Sequence, residues 1–176
     1  MKINFAGILT LFILTSFCAC AGKKEVTTHN SSQTKTTQAQ ESGLNIAYMQ
    51  MRRTACFGRC PEYFIEIYKD GLVRYTGIRN VTDTGIYEKK MDPAVITSLL
   101  NKFQEFHVDT CKERYDMIIS DLPGINYKFT FDNEITKQIH NAHFGPEALK
   151  VFAKDIDQTI IVDRSWKQIS TNWKQD

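Results

Sequence analysis

Tyr63-Phe-Ile-Glu-Ile-Tyr-Lys-Asp-Gly-Leu-Val-Arg-Tyr-Thr-Gly77 (YFIEIYKDGLVRYTG) places two runs of β-branched and aromatic residues on either side of Lys69-Asp70-Gly71. An Asp-Gly pair between such runs predicts a β-hairpin. Its register follows from side-chain chemistry. A two-residue loop sets Ile67 against Arg74 and Glu66 against Tyr75, which mixes polar and apolar groups on both faces. A three-residue loop, Lys69 to Gly71 with Gly71 left-handed, sets Ile67 against Val73, Ile65 against Tyr75 and Glu66 against Arg74. The second register sorts the faces and pairs the charges. A slip of one residue would turn one strand inside out.

Working outward, Thr84 to Lys90 predicts another strand, with Asn80 to Asp83 as its turn, and Ile46 to Met51 predicts one before the hairpin. Asp92-Pro93 supplies an N-cap and a proline at the first helical position. The helix from Pro93 to Phe106 lines up Val95, Ile96, Leu99, Leu100, Phe103 and Phe106 on one face. His107 to Gly124 carries no clear periodicity, and Ser120 to Gly124 reads as a loop. Ile125, Tyr127, Phe129 and Phe131 alternate with polar residues as a half-buried strand does. Asp132-Asn133 turns the chain, and Ile135 to His140 returns it. Gly145-Pro146 opens a second helix with Leu149, Phe152, Ile156 and Ile160 on its inner face. Ser165 to Trp173 reads as a short helix or coil over an edge of the core. Four strands, a helix, two strands and a helix predict an α+β domain with an antiparallel sheet of about six strands and the helices packed on one face.

The N-terminus reads differently. Met1-Lys2 precedes an apolar run from Ile3 to Ala19, too short and too interrupted for a membrane anchor of about 20 residues, and this pattern describes a signal peptide over residues 1–19. Phe17-Cys18-Ala19-Cys20 resembles the lipobox of bacterial lipoproteins, with a small residue before the cysteine and Phe17 where leucine is usual. That resemblance implies cleavage before Cys20 and acylation there, palmitate included. Each buried CH2 of the acyl chains contributes about 0.8 kcal/mol to membrane retention. From Ala21 to Gly43 the chain is rich in Thr, Ser, Gln and Lys, with Val26 as its single large apolar residue. Residues 20–44 are therefore expected to form a lipidated, disordered tether with a span of about 25 to 30 Å, and 45–176 to form one domain.

Hydrophobic residues make up 42% of the chain, enough for a core, and the formal net charge is +2. So small a charge gives no footprint for nucleic acid. Neither a glycine-rich phosphate loop nor an internal repeat is present.

The stretch RTACFGRCPEY, Arg53 to Tyr63, carries the chemistry. In a straight strand Cys56 and Cys60 would lie about 13 Å apart, whereas a disulfide needs Cα atoms about 4.4 to 6.8 Å apart. The chain must turn at Phe57-Gly58-Arg59, with Gly58 expected at positive φ. An exported domain meets oxidising conditions, which favour a local Cys56–Cys60 disulfide contributing about 2 kcal/mol. Two alternatives stay open. The thiolates suit Cu(I), with His107, His140 or His143 as a third ligand, although the loop runs into a hairpin rather than a helix. Arg52, Arg53 and Arg59 would also favour a reactive thiolate, although thiol exchange normally uses Cys-x-x-Cys at a helix N-terminus. Nothing local orients a base for a nucleophilic cysteine. Cys111 reads as a buried thiol near the end of the first helix, or as a partner for one loop cysteine.

Cys56-Phe57-Gly58, Cys60-Pro61, Tyr63, Asp70-Gly71, Tyr75 and Gly77 resemble the CFGxCPxY…DG hallmark of a bacterial family classed as a domain of unknown function and often carried on lipoproteins. Asp121-Leu122-Pro123 and Gly145-Pro146-Glu147 resemble its later motifs. The resemblance spans about residues 46 to 165 and implies no enzymatic activity. The expectation is an outer-membrane lipoprotein of the bacterial cell envelope, facing periplasm or cell surface. It has no cofactor and no nucleic-acid partner, reaches the membrane through its lipid, and binds or scaffolds an envelope protein through a surface near Arg53, Arg59 and Tyr63.

Overall fold

A computed structural model describes residues 44–115 and 122–173. The signal peptide, Cys20 and the tether expected from the sequence lie outside the described residues. Strands β1 (Ile46–Arg53), β2 (Glu62–Tyr68), β3 (Leu72–Arg79) and β4 (Gly85–Lys90) follow one another, and helix α1 (Pro93–Glu105) comes next. Strands β5 (Ile125–Phe131) and β6 (Thr136–Ile139), helix α2 (Glu147–Thr159) and strand β7 (Lys167–Ser170) complete the order. Single 3-10 turns cover Val108–Thr110 and Ala142–Phe144. The protein is α+β, with a seven-stranded antiparallel sheet in the order β6-β5-β1-β2-β3-β4-β7.

The β2–β3 hairpin takes the three-residue register: Ile67 faces Val73, Ile65 faces Tyr75 and Glu66 faces Arg74. Gly71 sits at φ 94° and its N–H donates to the Tyr68 carbonyl at 2.9 Å. An L-residue rarely adopts that conformation, which is why glycine stands there. Alternation then sends Met49, Met51, Ile65, Ile67 and Val73 into the core, none more than 1% exposed. Arg74 reaches Glu66 on one side and Glu88 on the other, at 3.8 and 2.6 Å.

Asp92 caps α1 by accepting from the Ala94 N–H at 2.8 Å, and Pro93 stands at the first turn. Ile96, Leu99, Leu100 and Phe103 are buried, whereas Val95, expected on the inner face, is exposed. It lies at the rim of the apolar stripe, beside Ile96, which is fully buried. The Phe103 ring meets Tyr127 and Phe129 of β5 and Phe152 of α2, with centroids 5.3, 5.3 and 4.9 Å away. From α2, Leu149, Ala153 and Ile156 are buried, and the Tyr127 hydroxyl donates to the Leu149 carbonyl at 2.7 Å.

Two expectations need correction. Ser165 to Trp173 forms neither helix nor coil alone: Lys167–Ser170 pairs with β4 as a seventh strand. Its residues are exposed or half-buried, so β7 is held by backbone hydrogen bonds to an otherwise open edge and leaves no alternation to read. β1 also runs two residues further than Met51, carrying Arg52 and Arg53 into the sheet. No helix among the described residues is long and apolar enough to cross a membrane.

Gly77 marks the closest backbone approach. A Cβ there would lie 1.9 Å from the Asp83 carbonyl oxygen, so the β3–β4 loop folds directly back onto β3. Gly77→Ala should therefore lower stability by about 1–3 kcal/mol, the usual cost of overpacking. Urea denaturation checks this, and an unchanged midpoint would show that the loop swings aside freely.

Candidate functional site

Several segments gather where β1 ends and β2 begins. Cys56 and Cys60 are joined by a disulfide, with Cα atoms 5.6 Å apart. The three residues between them bend outward, and Phe57 is 92% exposed. Gly58 is absent from the positive-φ residues, contrary to expectation, and a Cβ on it would meet just the Cys56 sulfur at 3.8 Å. The bend closes with ordinary backbone angles, so no left-handed residue is needed. The clip is fastened on both sides. Thr54 donates its N–H to the Gly124 carbonyl and accepts the Gly124 N–H on its hydroxyl, at 3.1 and 2.8 Å. The Asn80 side-chain amide donates to the Cys60 carbonyl at 3.1 Å.

Arg53 and Tyr63, both predicted at the candidate surface, converge on Asp157 of α2. The Arg53 Nη2 donates to Oδ2 at 2.5 Å and the Tyr63 hydroxyl donates to Oδ1 at 2.6 Å. Burial opposes the Arg53 charge, but the carboxylate beside it prevails and its pKa is raised. Burial pushes the Tyr63 phenol up, and the Asp157 hydrogen bond and charge push it further. These two side chains therefore lock α2 to the end of β1 and β2. Arg59 remains exposed beside Phe57 and has no ion pair among the described residues. Asp157 escaped the sequence reading because 94 residues separate it from Tyr63. In the sequence nothing distinguishes it from Asp155, which pairs with Lys102 of α1.

Beside this lock runs a groove of about 300 Å³, bounded by Pro61, Tyr63, Tyr75, Asp83, Asp157 and Ile161 among others. The Tyr63 and Tyr75 rings lie 5.6 Å apart. Burial first, then the charge of Asp83, pushes the Tyr75 phenol up to about 12. A larger depression is lined by residues of α1 alone and has no such convergence of elements.

The histidines considered as copper ligands are scattered in role. His107 and Asn141, the residue after His140, take left-handed angles at the two 3-10 turns, and the His143 ring meets Phe144. Among the described residues no group of three or more His, Cys, Asp or Glu is placed to hold a metal. Cys111 is free and partly buried against the core, and burial raises its pKa.

A family model described as a domain of unknown function, DUF6438, matches residues 47–160. The chain belongs to the DUF6438 family. Comparison with curated proteins finds no match. The DUF6438 match takes in the clip, the hairpin, Asp83 and Asp157, whereas β7 lies beyond it.

In this DUF6438 domain Asp157→Asn should lower stability by about 1–2 kcal/mol, since it weakens charge-assisted bonds to Arg53 and Tyr63. Asp132→Asn, at an exposed pair with Lys69, should cost under about 0.5 kcal/mol. Equal losses in chemical denaturation would contradict the locking role of Asp157.

Alkaline pH provides a second test. The Tyr75 phenol, raised from 10.0 to about 12, keeps its proton in the folded chain after the unfolded chain has released it. Its contribution to stability is full below about pH 10 and is lost as pH rises towards 12. Absorbance of phenolate during an alkaline titration, compared with Tyr75→Phe, should show this late-titrating group, and a Tyr75 midpoint near 10 would refute it.

Proposed function

We propose that this protein is an exported bacterial lipoprotein, acylated on Cys20 after removal of residues 1–19, whose residues 45–176 form a non-enzymatic binding domain held off the outer membrane by the tether. The observation that carries the reading is Phe57, 92% exposed on a loop closed by the Cys56–Cys60 disulfide. An aromatic side chain held out in water contributes nothing to the core, and a stapled loop loses little entropy when a partner covers it. Aromatic and arginine side chains are the usual anchors of protein interfaces, and Arg59 stands beside Phe57. The disulfide also suits an oxidising compartment. In this reading α1 and α2 both cover the face that carries Tyr63 and Tyr75, and the clip end meets an envelope protein. Arg53 and Tyr63 act behind it by holding the base of the clip to α2.

Three measurements test the proposal. A fatty-acid analogue should label the protein in cells, and Cys20→Ala should abolish labelling. Mass mapping without reductant should find Cys56 linked to Cys60 and Cys111 free; free Cys56 and Cys60 thiols that take up Cu(I) would overturn the binding role. A photo-crosslinker at position 57 should yield a discrete adduct with an envelope protein that a crosslinker at the exposed Glu134 does not. Identical crosslinking from both positions would remove Phe57 from the interface.

A further inference from the structure

We propose that the groove beside the clip binds the basic side chain of a lysine or arginine on a partner polypeptide. The inference rests on the reading of the domain as a binding module, and it concerns a different set of residues from the Phe57 tip.

The groove has a floor, two walls and an end. Tyr63, Ile65 and Tyr75 of the β2–β3 hairpin form the floor, Asn80–Asp83 one wall, Ile160–Val162 the other, and Pro61 closes the end at the clip. Both walls are fixed. Asp83 presses onto Gly77 so closely that a side chain there would collide with it, and Asn80 is hydrogen-bonded to Cys60; on the other wall the Ile161 carbonyl accepts the Trp166 indole N–H at 2.9 Å. A groove held in shape before binding loses little on ordering.

Its chemistry is that of a receptor for a cation on an apolar stem. The acidic groups around it are already engaged: Asp157 by Arg53 and Tyr63, Glu62 by Arg52 and Arg79, and Asp163 by Ser165 and Lys89. Asp83 is the exception. It lies half-buried on the wall, without an ion pair or a side-chain hydrogen bond among the described residues, yet its charge is felt at Tyr75. Tyr75 is a second, independent sign. Just 9% of it is exposed, it lines the groove, and its hydroxyl has no hydrogen-bond partner among the described residues. Among the described residues no side-chain polar atom is sealed from solvent without a partner, so the Tyr75 hydroxyl reaches solvent, and the groove that Tyr75 lines is open to it.

An ammonium or guanidinium group between Asp83 and the Tyr63–Tyr75 pair would gain a carboxylate contact and ring-face attraction together. The stem of such a side chain is apolar and needs cover. Val81 and Ile161 provide it at the rim, and Ile161 is 63% exposed. An anion would meet the Asp83 charge, and a purely apolar side chain would leave that charge and the Tyr75 hydroxyl unanswered.

The test uses the full chain in detergent, isotope-labelled for amide NMR, with Nα-acetyl-lysine amide as probe and Nα-acetyl-norleucine amide as its uncharged counterpart. Saturable shifts are expected at Asn80–Asp83 and Ile160–Val162 with the lysine probe. Norleucine should bind at least about fivefold more weakly, a difference near 1 kcal/mol. Asp83→Asn removes no intramolecular bond, so it should keep the fold and reduce lysine affinity by the same factor. Tyr75→Phe, a second route, should weaken the lysine probe and leave norleucine unchanged. Phe57→Ser should alter neither titration. Absence of saturable shifts at the two walls, or equal binding of both probes, overturns the inference. If the lysine probe fails while position 57 still crosslinks its partner, the binding-domain reading survives and the groove assignment falls alone.

Discussion

The register of the β2–β3 hairpin is the constraint on which the rest depends. Gly71 alone in that loop accepts the positive φ that adds a third loop residue, and the extra residue brings Ile67 opposite Val73 rather than opposite Arg74. Because side chains alternate along a strand, this one backbone choice decides the face of every residue from Tyr63 to Gly77. Ile65, Ile67 and Val73 go to the core. Tyr63 and Tyr75 share that face at its open end, where they meet α2 and become the floor of a groove. Glu66 and Arg74 go to the opposite face, where Arg74 also meets Glu88.

The clip end of the sheet is held by polar bonds as well as by apolar packing. Asp157 accepts from both Arg53 and Tyr63, tying α2 to the strands on either side of the clip. Its side chain is about a quarter exposed, so water competes with these bonds, and they orient α2 more than they stabilise the whole domain. Core packing further down the sheet supplies the larger share. There Phe103 joins α1, β5 and α2 through ring contacts shielded from solvent. The disulfide, Thr54–Gly124 and Asn80–Cys60 bonds hold the clip in place, so a small exposed loop keeps one shape without a core of its own.

Much of this was legible in the residues. The Asp-Gly turn, the alternation in Ile125–Phe131 and the Asp-Pro cap of α1 each carry a local signal, because the physics that sets them acts within a few residues. The Cys56–Cys60 link was legible too, since just four residues separate its ends. β7 was not, because an edge strand held by backbone bonds has no side-chain period. Val95 misled because helical spacing marks an apolar stripe without saying how much of its width the core covers. Gly58 misled because a bend across five residues can close with ordinary angles. Around the candidate site Arg53, Arg59 and Tyr63 were singled out by their nearness to the cysteines, whereas Asp83 and Asp157 carried no such local signal.

By itself, then, the amino-acid order determined the local elements: which runs other than β7 become strands, where α1 starts, how the hairpin pairs and which two cysteines can close a loop. Those are consequences of backbone sterics, side-chain period and short-range reach. Tertiary structure alone decided that Arg53 and Tyr63 are engaged by Asp157, that Phe57 is left in water, and that Asp83 and Tyr75 line one groove, Asp83 without an ion pair among the described residues. The reason is distance along the chain. The partner of a charge or a ring is set by which elements the core packs together, and no spacing rule carries that information across 94 residues.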